Sequence, residues 1–259
     1  MNIVVCVKQV PDTESPRKLK SDDNTLDRAA ADGVINELCE YAIEEALLIK
    51  EAHGGEVTVL TMGPDKATES IRKALAMGAD KAVHLVDDAL VGSDALQTSY
   101  ALQQLITRAG ADVVILGSES TDARTGVMAA MLAERLGWPQ VTMVNKVEIN
   151  GTAISAQRQT DTGFDKLEAS LPAVISVVEK INEPRYPSFK GIMAAKKKPV
   201  ESLSIADAGI EADKVGVANA YSAVVDHADA PARAKGQIVT DEGDGGTKIA
   251  DFLASKKFV

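Results

Sequence analysis

Apolar positions along this chain fall into short unbroken runs separated by longer amphipathic stretches. Ile3-Val4-Val5-Cys6-Val7 is almost entirely β-branched and reads as a first strand buried on both faces. Residues 57–60, 82–86 and 113–116 repeat that pattern. Between them lie helical periods. Asn36 can cap a helix that opens with the acids Glu37 and Glu40, charges suited to a positive N-terminal end. In that helix Cys39, Ile43, Ala46 and Leu47 share one face, with Glu44, Glu45 and Lys50 mostly opposite, and His53-Gly54-Gly55 ends it. Further helices are predicted over 65–77, closed by Gly78, from the caps Ser93 and Asp94 to Gly110, and over 125–136. This alternation predicts an α/β fold with a mostly parallel sheet flanked by helices.

The pattern then changes. Residues 141–149 and 153–159 flank Asn150-Gly151, which suits a type I′ hairpin turn. Residues 164–169 add a strand, so an antiparallel hairpin extends the sheet, and the apolar run 173–178 returns to it. Residues 15–33 are polar and read as an excursion, a small hairpin outside the core. After Pro199 the chain is rich in Ala, Asp and Gly, with Ile249, Phe252 and Leu253 giving one short apolar helix face. Such a segment hardly builds its own core and more naturally wraps a partner chain. The expected organisation is an α/β domain over 1–180, a loop over 181–198 and an extended C-terminal arm over 199–259.

The loop is unusual for a connector. Pro184 and Pro187 keep it extended, and Gly191 lets it turn into a short helix or arm over 192–198. It carries Tyr186 and Phe189, and it sets Arg185, Lys190, Lys196, Lys197 and Lys198 against the one acid Glu183. An apolar tip ringed by cations fits a docking surface for an acidic partner. A linker whose aromatics pack on their own domain fits it too.

Composition narrows the classes. The 259 residues are 45% hydrophobic but only 3% aromatic, so the core is built from Val, Ile, Leu and Ala. A net charge of −10 argues against broad nucleic-acid binding, which needs a basic face. Two cysteines fit free thiols in a reducing compartment. No apolar run is long enough to span a bilayer, and the N-terminus enters a strand with no presequence, so the cytoplasm is the expected location. Three scattered histidines and two cysteines have no zinc spacing, and neither a P-loop nor a Gly-x-Gly-x-x-Gly follows the first strand. No nucleophile has a base in an interpretable motif, and the glycine-rich 243–246 lies among acids that repel phosphate.

The best ligand site is Gly117-Ser118-Glu119-Ser120-Thr121-Asp122-Ala123-Arg124-Thr125-Gly126, which joins a strand end to a helix start. Free backbone N–H groups there suit a phosphate, with hydroxyls from Ser118, Ser120, Thr121 and Thr125 and a cation from Arg124. A plain connection with Thr125 as the helix cap is the other reading.

Asn182-Glu183-Pro184-Arg185-Tyr186, a spacer, and Gly191-Ile192-Met193-Ala194-Ala195-Lys196-Lys197-Lys198 closely resemble the recognition loop of electron transfer flavoprotein beta subunits. The resemblance extends to the first strand with Lys8 and to 36–47, 71–80, 117–140 and 171–198; beyond 198 it is loose. It implies a Rossmann-like, adenine-nucleotide-binding fold and a non-enzymatic electron carrier. It implies structural AMP at Cys6, at Asn36, Glu37, Leu38 and Cys39, at Met62, and at Gly117, Ser118, Glu119, Ser120, Thr121, Asp122, Ala123, Arg124 and Thr125. The loop is a few residues shorter than in many relatives, and Thr121-Asp122-Ala123-Arg124 replaces an Asp-rich centre. The resemblance also implies one FAD, shared and held mainly by an alpha subunit over which the C-terminal arm reaches. Thr13 stands where many relatives place a tyrosine near the flavin. Docking of flavin-dependent dehydrogenases such as acyl-CoA dehydrogenases falls to Glu183, Arg185, Tyr186, Phe189, Ile192 and Met193. Phe189 takes the place of a usual leucine, and electrons pass on to a membrane quinone oxidoreductase. Some relatives carry a second FAD in place of AMP and bifurcate electrons, but Thr121 to Arg124 does not resemble their loop. A stand-alone nucleotide binder of the universal-stress type would need neither the basic aromatic loop nor the arm. An ATP-cleaving enzyme of this layout would need a Ser-Gly-Gly-x-Asp-Ser loop where Lys8-Gln9-Val10-Pro11-Asp12 stands.

Overall fold

A computed structural model describes residues 1–259 except Ala234 and Gln237. The described chain forms two compact units, Met1–Val225 and Asp226–Val259. In the first, the strands are β1 (Asn2–Cys6), β2 (Gln9–Pro11), β3 (Gly33–Ile35), β4 (Glu56–Met62), β5 (Lys81–Leu85), β6 (Val113–Gly117), β7 (Gln140–Asn150), β8 (Ala153–Thr160), β9 (Gly163–Ser170), β10 (Ala173–Val177) and β11 (Val200–Leu203). The helices are α1 (Glu37–His53), α2 (Thr68–Met77), α3 (Ala95–Ala109), α4 (Met128–Leu136) and α5 (Phe189–Ala195).

The main sheet runs β11-β5-β4-β1-β6-β10-β7-β8-β9, parallel from β11 to β7 and antiparallel from β7 to β9. It is the expected α/β fold: a mostly parallel sheet, flanked by helices, with an antiparallel extension. The central strands are apolar on both faces because two layers cover them. Ile3, Val5, Val57, Val59, Ile115 and Ile175 pack in one layer with Ile43 and Leu47 of α1 and Ile71 and Leu75 of α2. Val4, Leu60, Val114 and Val174 pack in the other with Leu102, Leu105 and Ile106 of α3 and Leu132 of α4. Asp94 closes the start of α3 with a capping box to Gln97, as its position predicts.

Several expectations need correction. The excursion over 15–33 holds only a bridge between Leu19 and Leu26, while its flanks β2 and β3 pair as a small antiparallel sheet. Of the two turn residues after Asn150, only Gly151 has positive φ, 62°, and Asn150 is the last paired residue of β7. The hairpin turn is therefore of the II′ kind rather than I′. Helix α4 begins at Met128, not Thr125, because Arg124 and Gly126 take left-handed φ of 49° and 65°. Helix α5 begins at Phe189 rather than Ile192, since the Ser188 hydroxyl caps it by accepting from the Gly191 N–H at 3.0 Å.

The segment after Pro199 does not leave the domain at once, as the expected arm would. Strand β11 pairs with β5 at the sheet edge, and Leu203, Ile205, Ile210 and Val215 are buried in the layer beneath α3. The compact unit ends at Val225. The second unit carries helix α6 (Gly245–Ser255), on which Ile249 and Phe252 are exposed. Among the described residues, no helix is long and apolar enough to cross a membrane.

Candidate functional site

Strands β4, β1 and β6 end side by side at Met62, Cys6 and Gly117. From β1 the sheet extends through β4 and β5 on one side, and from β6 through β10 and β7 on the other. The gap between the ends of β1 and β6 is thus the topological switch point, where open parallel sheets bind ligands. Helix α1 starts beside it. Gly117 allows that proximity: a Cβ there would lie 2.6 Å from Leu38 Cβ.

The loop from Gly117 to Gly126 is held from three sides. Its start is pinned to β10 where Ser118 N–H donates to the Val177 carbonyl at 2.9 Å. Asn36, 2% exposed, occupies the cap position of α1 but makes no side-chain cap bond. Its amide instead grips the loop: Nδ2 donates to the Glu119 carbonyl at 3.0 Å, and Oδ1 accepts from the Thr121 N–H at 3.0 Å. The predicted capping role is therefore replaced by a loop clamp. Nδ2 also lies 3.6 Å from Cys39 Sγ.

The third hold is ionic. Lys8 Nζ donates to Asp122 Oδ1 at 2.7 Å and to Ser120 Oγ at 3.2 Å, and Arg28 Nη2 donates to Asp122 Oδ2 at 2.9 Å. The Asp122 side chain is only 1% exposed. Burial alone would raise its pKa, but Lys8, Ser120 and Arg28 together bring it down to about 2. Burial pulls Lys8 below its usual range despite the carboxylate beside it. Asp122 is consequently a neutralised structural anion, not a free charge that would repel a phosphate.

Two observations say what the loop has left over. Thr121 Oγ1 is buried without a partner. Among the described residues, no backbone carbonyl accepts from the N–H groups of Thr125, Gly126 or Val127, which are exposed just before α4. A buried orphan hydroxyl and a run of free N–H groups at a helix start fit a nucleotide phosphate.

The remaining expected positions gather around this gap. Glu37 is exposed at the first turn of α1, Met62 is half-buried at the end of β4, and Ala123 and Arg124 are exposed on the loop. Cys6 and Cys39 are buried free thiols. Burial, with Cys39 nearby, pushes the Cys6 thiol up to about 12, and burial raises Cys39 as well, so neither offers a thiolate. Thr13 is exposed just after β2. Two shallow clefts of about 270 and 250 Å³, around Trp138 and around Lys73, include no residue of the loop. Among the described residues, no His, Cys, Asp or Glu grouping could hold a metal.

The second expected surface is the loop 181–198. Tyr186 is 96% and Phe189 81% exposed, with Ile192 and Met193 about half exposed beside them. These aromatics do not pack on their own domain. Arg185, expected as a docking cation, is instead the anchor. Its Nε and Nη2 donate to the two oxygens of Glu44 at 2.8 Å each, its Nη1 to Glu51 at 2.6 Å, and its own N–H to Glu44 at 3.1 Å. These carboxylates raise the guanidinium pKa further, and the bond from Arg185 lowers that of Glu51. Asn182 adds bonds to the Tyr41 carbonyl and to Glu45, a carboxyl whose pKa burial raises.

Lys198 is also spent internally, donating to the Leu75 and Ala79 carbonyls at the end of α2, while Arg72 donates to the Ala195 and Lys198 carbonyls. Glu183, Lys190, Lys196 and Lys197 remain outside these bonds. Sequence reasoning missed the anchoring partners Arg28 and Glu51, and it placed Glu44 and Glu45 on the polar face, whereas both are buried, 5% and 7% exposed, beneath the loop's Arg185 and Asn182. Lys8, at the carboxyl end of a buried strand, and Asn182, in the loop motif, carried a signal by position without a partner.

Comparison with known proteins shows the family. Residues 23–208 match the family model described as the electron transfer flavoprotein domain. The chain belongs to the electron transfer flavoprotein beta-subunit family. It is 56% identical to the electron transfer flavoprotein subunit beta of Mycobacterium tuberculosis, covering 100% of this chain and 99% of that one. It is 55% identical to the subunit of the same name in Mycobacterium leprae, with the same coverage. The subunit beta of Bacillus subtilis is 38% identical over 82% of each chain. Family membership makes the chain part of a flavin-associated electron carrier.

Proposed function

We propose that the chain is the beta half of a heterodimeric carrier that accepts electrons from flavin-dependent dehydrogenases, acyl-CoA dehydrogenases among them, and passes them to a membrane quinone oxidoreductase. FAD supplies the redox chemistry when bound, held mainly by the alpha subunit with Thr13 of this chain near it. This chain's own residues do three things. The loop 117–126 holds structural AMP, its phosphate on the free N–H groups of residues 125–127 and its remainder against Thr121, Leu38 and Met62. Among the described residues no catalytic set surrounds that loop, which suits a nucleotide that stays bound. The 226–259 unit lies over the alpha subunit, where the exposed Ile249 and Phe252 find cover. The loop 181–198 presents Tyr186 and Phe189 to the dehydrogenase.

The observation that carries this reading is the contrast within that last loop. Two aromatics project almost fully into solvent from a backbone fixed by Arg185, Glu44 and Glu51. An exposed apolar anchor on a pre-ordered frame, with Lys190, Lys196 and Lys197 around it, is a hot-spot arrangement. The test is Phe189→Ala in the purified heterodimer. Transfer from a dehydrogenase is expected to slow, with FAD and AMP content unchanged. Unaltered transfer kinetics would count against the docking role, and two FAD per heterodimer without AMP would replace the nucleotide assignment with a bifurcating one.

A further inference from the structure

The nucleotide loop and the polar segment between β2 and β3 share one carboxylate. Asp122 accepts from Lys8 with one oxygen and from Arg28 with the other. Lys8 follows β1 and belongs to the body of the domain. Arg28 belongs to the segment 12–32, in which no residue is buried. That segment is ordered mostly by itself: Asp12 N–H donates to the Asp32 carbonyl at 2.8 Å, Asp23 accepts from both Thr25 groups, and Leu19 bridges Leu26. Its hydrogen bonds to the remainder of the described chain are two, Arg28 to Asp122 and Asn24 Nδ2 to the Val224 carbonyl at 3.1 Å.

A segment without apolar burial sits at the low-stability end of a fold, and a few polar ties decide where it lies. Here the stronger tie is charged, and its acceptor is on the loop that the nucleotide would order. We propose that Arg28 and Asp122 form a latch that couples occupancy of loop 117–126 by an adenine nucleotide to the placement of segment 12–32, which carries Thr13. The inference rests on the nucleotide reading of that loop.

The coupling is a matter of entropy. A nucleotide phosphate seated on residues 125–127 restrains the loop and with it the Asp122 carboxylate. Arg28 then binds a fixed partner and loses less freedom in doing so. By linkage, the docked segment strengthens nucleotide binding by the same factor. Because Arg28 is 41% exposed, that factor belongs at the low end of measured couplings, about fivefold. Arg28 is thus a positioning residue: it sets the segment that carries Thr13 without touching the nucleotide itself.

The experiment is hydrogen–deuterium exchange on the heterodimer with its alpha subunit, with AMP bound and after AMP removal, for the wild type, Arg28→Gln and Arg28→Lys. In the wild type AMP is expected to slow exchange in both 117–126 and 12–32. In Arg28→Gln it should slow only 117–126, with the AMP dissociation constant raised about fivefold, and Arg28→Lys should recover part of the response. A purely local role for Arg28 would speed exchange in 12–32 by the same factor in both states, so that AMP still slows 12–32 in Arg28→Gln, and that result overturns the latch. AMP-independent exchange of 12–32 in the wild type also overturns it while leaving the nucleotide site intact. A heterodimer that binds no AMP removes the nucleotide reading and the latch together.

Discussion

Asn36 and Thr121, 85 residues apart in sequence, meet in a 3.0 Å hydrogen bond between a side-chain oxygen and a backbone N–H. The same amide donates to the Glu119 carbonyl, so one buried side chain fixes two peptide units of the candidate nucleotide loop. Asn36→Ala is therefore expected to cost about 2 kcal/mol, since two backbone groups lose their partner in a half-buried site. Urea unfolding of the heterodimer would show the loss, and nucleotide content after purification should fall with it. An Asn36→Asp variant keeps the acceptor for Thr121 but sets a carboxylate against the Glu119 carbonyl, and it should bind nucleotide no better than the alanine variant.

The Asp122 carboxyl is held down at about 2, against an ordinary 3.8. A depressed carboxyl contributes stability that is fully present above its unfolded value and fades as the pH falls through the folded one. The heterodimer should accordingly hold its nucleotide without change through neutral and mildly acidic pH. It should begin to release it only as the pH drops below about 4 toward 2. Asp122→Asn should remove that acid-dependent step and lower stability at neutral pH by about 2 kcal/mol, a buried-pair cost discounted because Lys8 and Arg28 are 38% and 41% exposed. Thermal midpoints across pH, compared between the two proteins, separate these outcomes.

Arg185→Ala leaves Glu44, with 7% side-chain exposure, without its cation. The expected cost is about 2 to 3 kcal/mol, discounted for the partly exposed arginine. With Phe189 and Tyr186 still present, the anchor residues survive but their frame is loose. Steady-state transfer from a dehydrogenase should show a higher KM for the carrier at little changed limiting rate. Arg185→Lys should rescue poorly, since an ammonium cannot serve both Glu44 oxygens and Glu51 in the same fork.

Gly117→Ala forces a methyl to within 2.6 Å of Leu38 Cβ and 2.8 Å of its carbonyl carbon. The end of β6 and the start of α1 must then separate, at a cost of about 1 to 3 kcal/mol. Because Asn36 and Thr121 straddle that gap, nucleotide content should fall in step with stability. A variant that keeps a full complement of AMP would show that the gap is not the site.

The parallel core was legible because each strand is an unbroken apolar run between helical periods. Its Val and Ile have no alternative use at that spacing. The loop 117–126 was legible as a connection from a strand end to a helix start, and so as a candidate phosphate site. What holds it was not: an asparagine before a helix reads as a cap, and only the close approach at Gly117 turns its amide toward the loop. Arg185 misled for the opposite reason. A cation among aromatics reads as a surface charge unless its carboxylates, carried 141 residues earlier in Glu44, are known to face it. Leu203, Ile205, Ile210 and Val215 were lost among Ala, Asp and Gly, although their spacing is that of a strand and loop packed on a sheet edge.

Helix α1 carries Asn36 at its start and Glu44, Glu45 and Glu51 along its flank, so both the 117–126 loop and the 181–198 loop take their position from one rod. The fifteen steps from Asn36 to Glu51 span about 22 Å at the helical rise. One inserted or deleted residue between them would turn the glutamates about 100° about the axis relative to Asn36, and no shift of side chains could restore both grips. Natural variation in length is therefore expected in the exposed 12–32 segment and in the 117–126 loop, and not in α1, whose residue count acts as a gauge between the two ends of the molecule's task.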